Sequence, residues 1–94
     1  MAADDRAERT LQIQNELGLH VRAAGKFVKL ASKFSCEITV TKSGSEVNGK
    51  SILSLMALMA PRGTTITIRA RGERAEEAVA ALAQLVEDRF EESR

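Results

Sequence analysis

Apolar side chains in this chain switch repeatedly between a spacing of two and a helical spacing, always in short segments, which admits only a mixture of strands and helices. Thr10-Leu11-Gln12-Ile13-Gln14 alternates strictly and reads as a half-buried strand with Leu11 and Ile13 on one face. From Val21 the spacing becomes helical. Val21, Ala24, Val28 and Ala31, widened by Phe27, share one face, and Arg22, Lys26, Lys29 and Lys33 point away, so an amphipathic helix runs to about Lys33. Cys36, Ile38 and Val40 return to alternation. Lys42-Ser43-Gly44-Ser45 then makes a turn, Glu46-Val47 starts a return strand, and Asn48-Gly49 makes a second tight turn. Ser51 is placed to cap an apolar run (Ile52, Leu53, Leu55, Met56, Leu58, Met59) that Pro61-Arg62-Gly63 closes. Thr64 to Ala70 alternates again, with Ile66, Ile68 and Ala70 inward. Gly72 and the carboxylates of Glu73, Glu76 and Glu77 then open a last helix, whose buried stripe is Ala75, Val79, Leu82, Val86 and Phe90.

Strands with one apolar face need helices on that face only, so the order strand, helix, strand, strand, helix, strand, helix predicts a two-layer α+β sandwich with a mainly antiparallel sheet. Its other face would present Gln12, Gln14, Thr39, Thr41, Thr65 and Thr67 to solvent. Residues 1–9 read as a flexible tail and residues 10–92 as a single domain. At 94 residues, with three Phe and no Trp or Tyr, the core is small and aliphatic, which excludes a large cofactor-binding architecture. The lone Cys36 cannot form an intramolecular disulfide, and no apolar run is long enough to enter a membrane. Met1 to Arg9 lacks the apolar core of a secretory signal, and the default compartment is the cytoplasm.

Charge is nearly balanced, 14 basic against 13 acidic side chains, but it is unevenly placed. Between His20 and Lys50 lie Arg22, Lys26, Lys29, Lys33, Lys42 and Lys50 against only Glu37 and Glu46, whereas the stretch after Gly72 is dominated by acids. One face can therefore meet an acidic partner surface; the alternative is two ordinary solvated helix faces.

His20, the only histidine, falls between the first strand and the first helix. Unpaired N–H groups of a helix's first turn converge on whatever stands ahead of them and favour an anion. A phosphoryl group on the imidazole would meet those donors, with the Arg22 guanidinium as a charge-assisted partner. An imidazole, whose unperturbed pKa is about 6.5, is nucleophilic near neutral pH. The competing explanation is a histidine that only caps its helix. One His and one Cys without a third soft ligand do not make a metal site, and Cys36 has the parity of a core side chain. Ser51 either caps its helix only or, if exposed, is a modification site. The apolar surface after it exceeds what a short helix needs for a core, so either part of it docks a partner or all of it is buried. Nucleic acid is disfavoured, because Phe27 and Phe90 fit core positions and no exposed aromatics are interleaved with the basic residues.

Gly18-Leu19-His20-Val21-Arg22-Ala23-Ala24 resembles the active-site motif of the HPr family, the histidine-containing phosphocarriers of the bacterial phosphoenolpyruvate-dependent sugar phosphotransferase system. Lys50-Ser51-Ile52-Leu53-Ser54-Leu55-Met56 is similar to that family's regulatory-serine segment, and the likeness runs from about residue 10 to residue 90. The resemblance implies an open-faced sandwich, a four-stranded antiparallel sheet with three helices on one face. It implies that phosphorylated enzyme I phosphorylates His20 on Nδ1, and that Arg22 and the backbone of Val21, Arg22 and Ala23 hold the phosphoryl group. A sugar-specific IIA domain or a regulatory acceptor then takes it. It further implies a covalent intermediate that is not an independent catalyst, no cofactor, no metal and a monomer. Ser51 would be the substrate of an HPr kinase/phosphorylase, and Lys26, Lys29, Lys50, Leu53 and Met56 would form the docking face. The family commonly has Pro where this chain has Ala23, and often Gly just past the serine, which points to a variant in a regulatory phosphotransfer chain. Two other readings stay open: a non-transferring interaction module controlled at Ser51, and a small ligand- or RNA-binding domain.

Overall fold

The computed structural model describes residues 5–93. Four strands, β1 (Arg6–Gln12), β2 (Glu37–Lys42), β3 (Ser45–Asn48) and β4 (Thr65–Arg71), form one antiparallel sheet in the order β1-β4-β2-β3. Helices α1 (Val21–Ala31), α2 (Ile52–Ala57) and α3 (Ala75–Glu87) pack on one face of that sheet. The open-faced α+β sandwich is thus the observed architecture.

Alternation explains the sheet's two faces. Ile38, Val40, Ile66, Ile68 and Ala70 are buried beneath the helices, and Thr39, Thr65, Thr67, Arg69 and Arg71 lie on the opposite face. Glu8 and Arg69 pair across that open face at 2.8 Å. Between β2 and β3, Ser43 and Gly44 both take positive φ (49° and 84°), the backbone that lets a two-residue hairpin follow the strand twist.

The sequence reading fails at the N-terminus. Arg6 to Arg9, expected in a flexible tail, belong to β1 and pair in register with Arg71 to Ile68. The inward parity there is Ala7, Arg9, Leu11, and the arginine in the middle hides the alternation; backbone pairing along the full length of β4 extends the strand regardless. The rest of that expected tail, residues 1–4, lies outside the described residues.

The first helix also differs from expectation. It ends at Ala31, and Val21 is 61% exposed while Ala23 is fully buried. The stripe that packs is Ala23, Ala24, Phe27 and Ala31, three small side chains around one large ring that let α1 approach α2 and α3. In α2 only Leu55 is buried, and Leu58 follows it inward; Leu53 (83% exposed) and Met59 (77%) face solvent, which settles that this apolar run is not all core. The Lys42 ammonium donates to the Leu58 and Met59 carbonyls, each at 2.9 Å, and so satisfies acceptors that the end of α2 leaves open. Phe27, Phe34 and Phe90 are all buried, leaving no exposed ring among the described residues for a base to stack on.

Candidate functional site

His20 is the N-cap of α1, with extended backbone (φ −83°, ψ 179°). The loop ahead of it is built by close backbone approach. Gly18 has φ +69°, and a Cβ on it would stand 2.7 Å from the Ala60 carbonyl oxygen and 2.8 Å from Pro61 Cα. That approach lets the Leu19 N–H donate to the Ala60 carbonyl (2.9 Å), which ties the histidine loop to the chain leaving α2. The Gly18 N–H closes onto the Asn15 carbonyl (3.1 Å) and the His20 N–H onto the Gly18 carbonyl (2.9 Å).

The imidazole is held at both nitrogens. Nδ1 accepts from the Arg22 N–H at 3.3 Å, and Nε2 donates to Oε2 of Glu92. A ring nitrogen that accepts leaves the proton on the other, so this pair of bonds selects the Nε2–H tautomer and keeps the Nδ1 lone pair directed at the start of α1. The first intrahelical bond runs from the Ala24 N–H to the His20 carbonyl (2.8 Å), so the N–H groups of Val21, Arg22 and Ala23 precede it at the helix's positive end. The His20 side chain is 22% exposed and that of Glu92 13%.

Glu92 reaches the site through an unusual turn. Arg89, Phe90 and Glu91 all have positive φ (58°, 54° and 65°), a conformation that L residues adopt only when their surroundings compel it. Two features do so here: the Phe90 ring is fully buried, and the Lys26 ammonium donates to the Phe90 carbonyl at 2.8 Å. The second oxygen of Glu92 accepts from Asn15 Nδ2 at 3.0 Å, and the same Nδ2 donates to the Gly18 carbonyl at 2.7 Å. Burial pushes the Glu92 carboxyl up, but the hydrogen bonds from His20 and Asn15 and the positive charge of Arg22 outweigh it and hold the group below the usual carboxylate range.

A depressed folded-state pKa fixes the sign of the pH effect. The contribution of Glu92 to stability is complete above the unfolded-state value of about 4.3 and disappears as the pH falls through the lower folded value. Glu92→Gln removes that titration, so urea midpoints measured from about pH 5 to pH 2 should fall less steeply in the variant than in wild type. Parallel midpoint curves would show that the bonds to Glu92 do not hold in solution.

Arg22 and Glu92 line one shallow cleft with Leu17, Lys26, Glu91 and Ser93, so the arginine expected beside His20 stands at the same opening. Lys29, Leu53 and Met56 are exposed, as a docking face requires. Of the other two lysines expected there, Lys26 donates to the Phe90 carbonyl and stands 3.6 Å from Glu91, while Lys50 donates to the Phe34 carbonyl at 2.6 Å. A long flexible amine near an open carbonyl satisfies it, and each ammonium keeps further donors beyond that bond. Ser51 is a cap in fact, its hydroxyl accepting from the Ser54 N–H at 3.2 Å. Among the described residues no cluster of three His, Cys, Asp or Glu side chains is placed to hold a metal ion, and Cys36 is buried.

Sequence reasoning missed Asn15 and Glu92. Asn15 did leave a trace, since it continues the inward parity of Leu11 and Ile13 with a polar side chain; Glu92 left none, being 72 residues from its histidine.

The family model described as the phosphorylation site of the phosphotransferase system's HPr component matches residues 7–88. The chain is 46% identical over 85 residues to the phosphocarrier protein HPr of Neisseria meningitidis, covering 90% of this chain and 96% of that protein. It is 41% identical over 86 residues to the phosphocarrier protein NPr of Shewanella violacea, covering 92% and 94%. Among solved structures, the HPr of Thermoanaerobacter tengcongensis superposes with a TM-score of 0.90 at 43% identity, over 94% of this chain and 99% of that one. A histidine presented at a helix N-terminus, on this sheet topology and with relatives of this identity along nearly its whole length, places the chain in the HPr family of phosphotransferase-system phosphocarrier proteins.

Proposed function

We propose that this protein carries a phosphoryl group on Nδ1 of His20, taking it from phosphorylated enzyme I and delivering it to a IIA-type domain or a regulatory acceptor in the cytoplasm. The observation that carries this reading is the double hold on the imidazole, with Nδ1 turned toward the first turn of α1 and the Nε2 proton against Glu92. In the transfer the Nδ1 lone pair attacks phosphorus in line, the new N–P bond forms as the bond to the donor's leaving nitrogen breaks, and the Nε2 proton stays on the ring. The ring gains positive charge, which the Glu92 carboxylate offsets. The phosphoryl oxygens accept from the N–H groups of Val21, Arg22 and Ala23 and from the Arg22 guanidinium. Ala23 supports this hold in a way proline cannot, because it keeps its backbone N–H.

HPr proteins are phosphoryl-transfer intermediates rather than independent catalysts, and the shallow, open site here suits a protein that needs a partner to complete it. The partner-facing surface is the exposed apolar side of α2 (Leu53, Met56, Met59) together with Leu17 and Val21 beside His20, and the exposed Lys29 of α1 adds charge. Ser51 is the regulatory position in the same reading. Phosphorylation by an HPr kinase/phosphorylase would add nearly two negative charges at the start of α2, on the flank of the docking surface.

Intact mass after incubation with phosphoenolpyruvate and enzyme I tests the reading. One phosphoryl group replacing a proton adds about 80 Da, and a phosphoramidate on imidazole is lost in acid and retained in base. An unchanged mass with a competent enzyme I, or a gain that survives acid, would overturn it.

A further inference from the structure

Asn15 is the one fully buried polar side chain among the described residues. Both protons of its amide are spent, on the Gly18 carbonyl (2.7 Å) and on Glu92 Oε1 (3.0 Å), and its own Oδ1 is buried without a partner. A residue needed only for packing would have no reason to be polar here. Its position continues the apolar parity of Leu11 and Ile13, the loop already closes through backbone bonds, and the Gly18 carbonyl already accepts from the His20 N–H. An orphaned buried acceptor is a penalty that leucine would not incur. What the carboxamide adds, and nothing else in the loop supplies, is a donor to the second oxygen of Glu92.

From this arrangement we infer that Asn15 is a positioning residue for phosphoryl transfer, acting on His20 through Glu92. The inference rests on the reading of His20 as the phosphoryl carrier. Glu92 is claimed at both oxygens, by Asn15 and by the imidazole Nε2–H, so the carboxylate plane and the ring orientation are set together. Without Asn15 the carboxylate can rotate about its own stem, because the Phe90 plug, the Lys26 bond and the backbone bonds of Glu91 and Glu92 fix the turn that bears it but not the orientation of its side chain. The ring then loses the anion that offsets its developing charge and the constraint that aims Nδ1 at the helix. Asn15 never touches the phosphoryl group. It acts as the outermost member of a line running from the loop after β1 to the nucleophile, which is how oriented nucleophiles are generally built.

The protein has a single histidine, so its imidazole N–H resonance is unambiguous. In wild type the Nε2 proton should give a downfield, exchange-protected signal. In Asn15→Leu, with melting temperature and circular dichroism checked, that signal should be lost and the maximal rate of phosphoryl acceptance from enzyme I should fall about tenfold, the effect expected for one charge-assisted hydrogen bond. The KM for this protein as enzyme I substrate should stay within about twofold, because the docking surface is untouched. Glu92→Gln should lower the rate by a similar factor, and the double variant should be no slower than the slower single one, since both substitutions break the same line. Asn15→Ala takes the place of the leucine variant if that one does not fold. A persistent Nε2–H signal with an unchanged rate in the Asn15 variant, or losses that multiply in the double variant, would overturn the inference. If wild type accepts no phosphoryl group at all, the carrier reading fails instead, and the resonance alone still decides whether Asn15 positions the ring.

Discussion

His20→Ala abolishes the phosphoenolpyruvate-dependent mass gain while the protein remains folded. The chain has no second imidazole to take over, and its one thiol, Cys36, is 3% exposed within the core. The cost in stability should be modest. The bond from the Arg22 N–H to Nδ1 is a long cap at 3.3 Å, and losing an N-cap costs about 1 kcal/mol, which by itself lowers the melting temperature of a domain this size by about 4–8 °C, with the lost bond to Glu92 adding to it. His20→Asn separates the two contributions, because asparagine is a good N-cap with no nucleophilic nitrogen. It should recover most of the melting temperature and none of the phosphoryl acceptance. A mass gain persisting in either variant would place the acceptor elsewhere on the chain.

The second large effect is on the frame that holds the histidine. Gly18→Ala forces a side chain into φ +69° and drives its Cβ against the backbone of Ala60 and Pro61. The left-handed conformation costs about 1 kcal/mol for alanine, and pushing backbone out of a packed contact costs about 1–3 kcal/mol more. The sum is a sizeable part of the roughly 5–15 kcal/mol that stabilises a typical domain. Both neighbouring atoms are main chain, so no flexible side chain can yield to make room. The loop must move instead, and the bond from the Leu19 N–H to the Ala60 carbonyl is the first to break. Urea unfolding should show a loss of about 2–4 kcal/mol, and phosphoryl acceptance should fall in protein that is still folded because His20 is no longer held at the helix start. A loss below about 0.5 kcal/mol would mean that the close approach at Gly18 is not a constraint on the loop.

Most of the sheet was legible because burial on one face imposes a period of two that survives in the residues themselves. Ile38 and Val40 in β2, and Ile66, Ile68 and Ala70 in β4, could be placed from alternation alone, and all are buried. The start of β1 was not legible. Arg6 to Arg9 are held in the sheet by main-chain bonds to β4, which carry no side-chain signature, and Arg9 interrupts what pattern there was. The exposure of α2 was equally out of reach, since Leu53 and Leu55 are the same residue type two positions apart, one at 83% exposed and the other at 1%. Hydrophobicity says that a side chain prefers burial; only the neighbours available on that side of the helix say whether it obtains it.

Local periodicity and capping within a few residues specify the order and type of the elements, the place of His20 just ahead of α1 and that of Ser51 at the start of α2. Long-range packing sets what surrounds the imidazole. Glu92 meets His20 across 72 positions of chain and Lys26 meets Phe90 across 64, through a left-handed turn that no local preference would produce. Such contacts exist because the buried Phe90 ring and the packed helices outweigh the backbone's own preference at Arg89 to Glu91, and that balance is struck only once the whole core has closed.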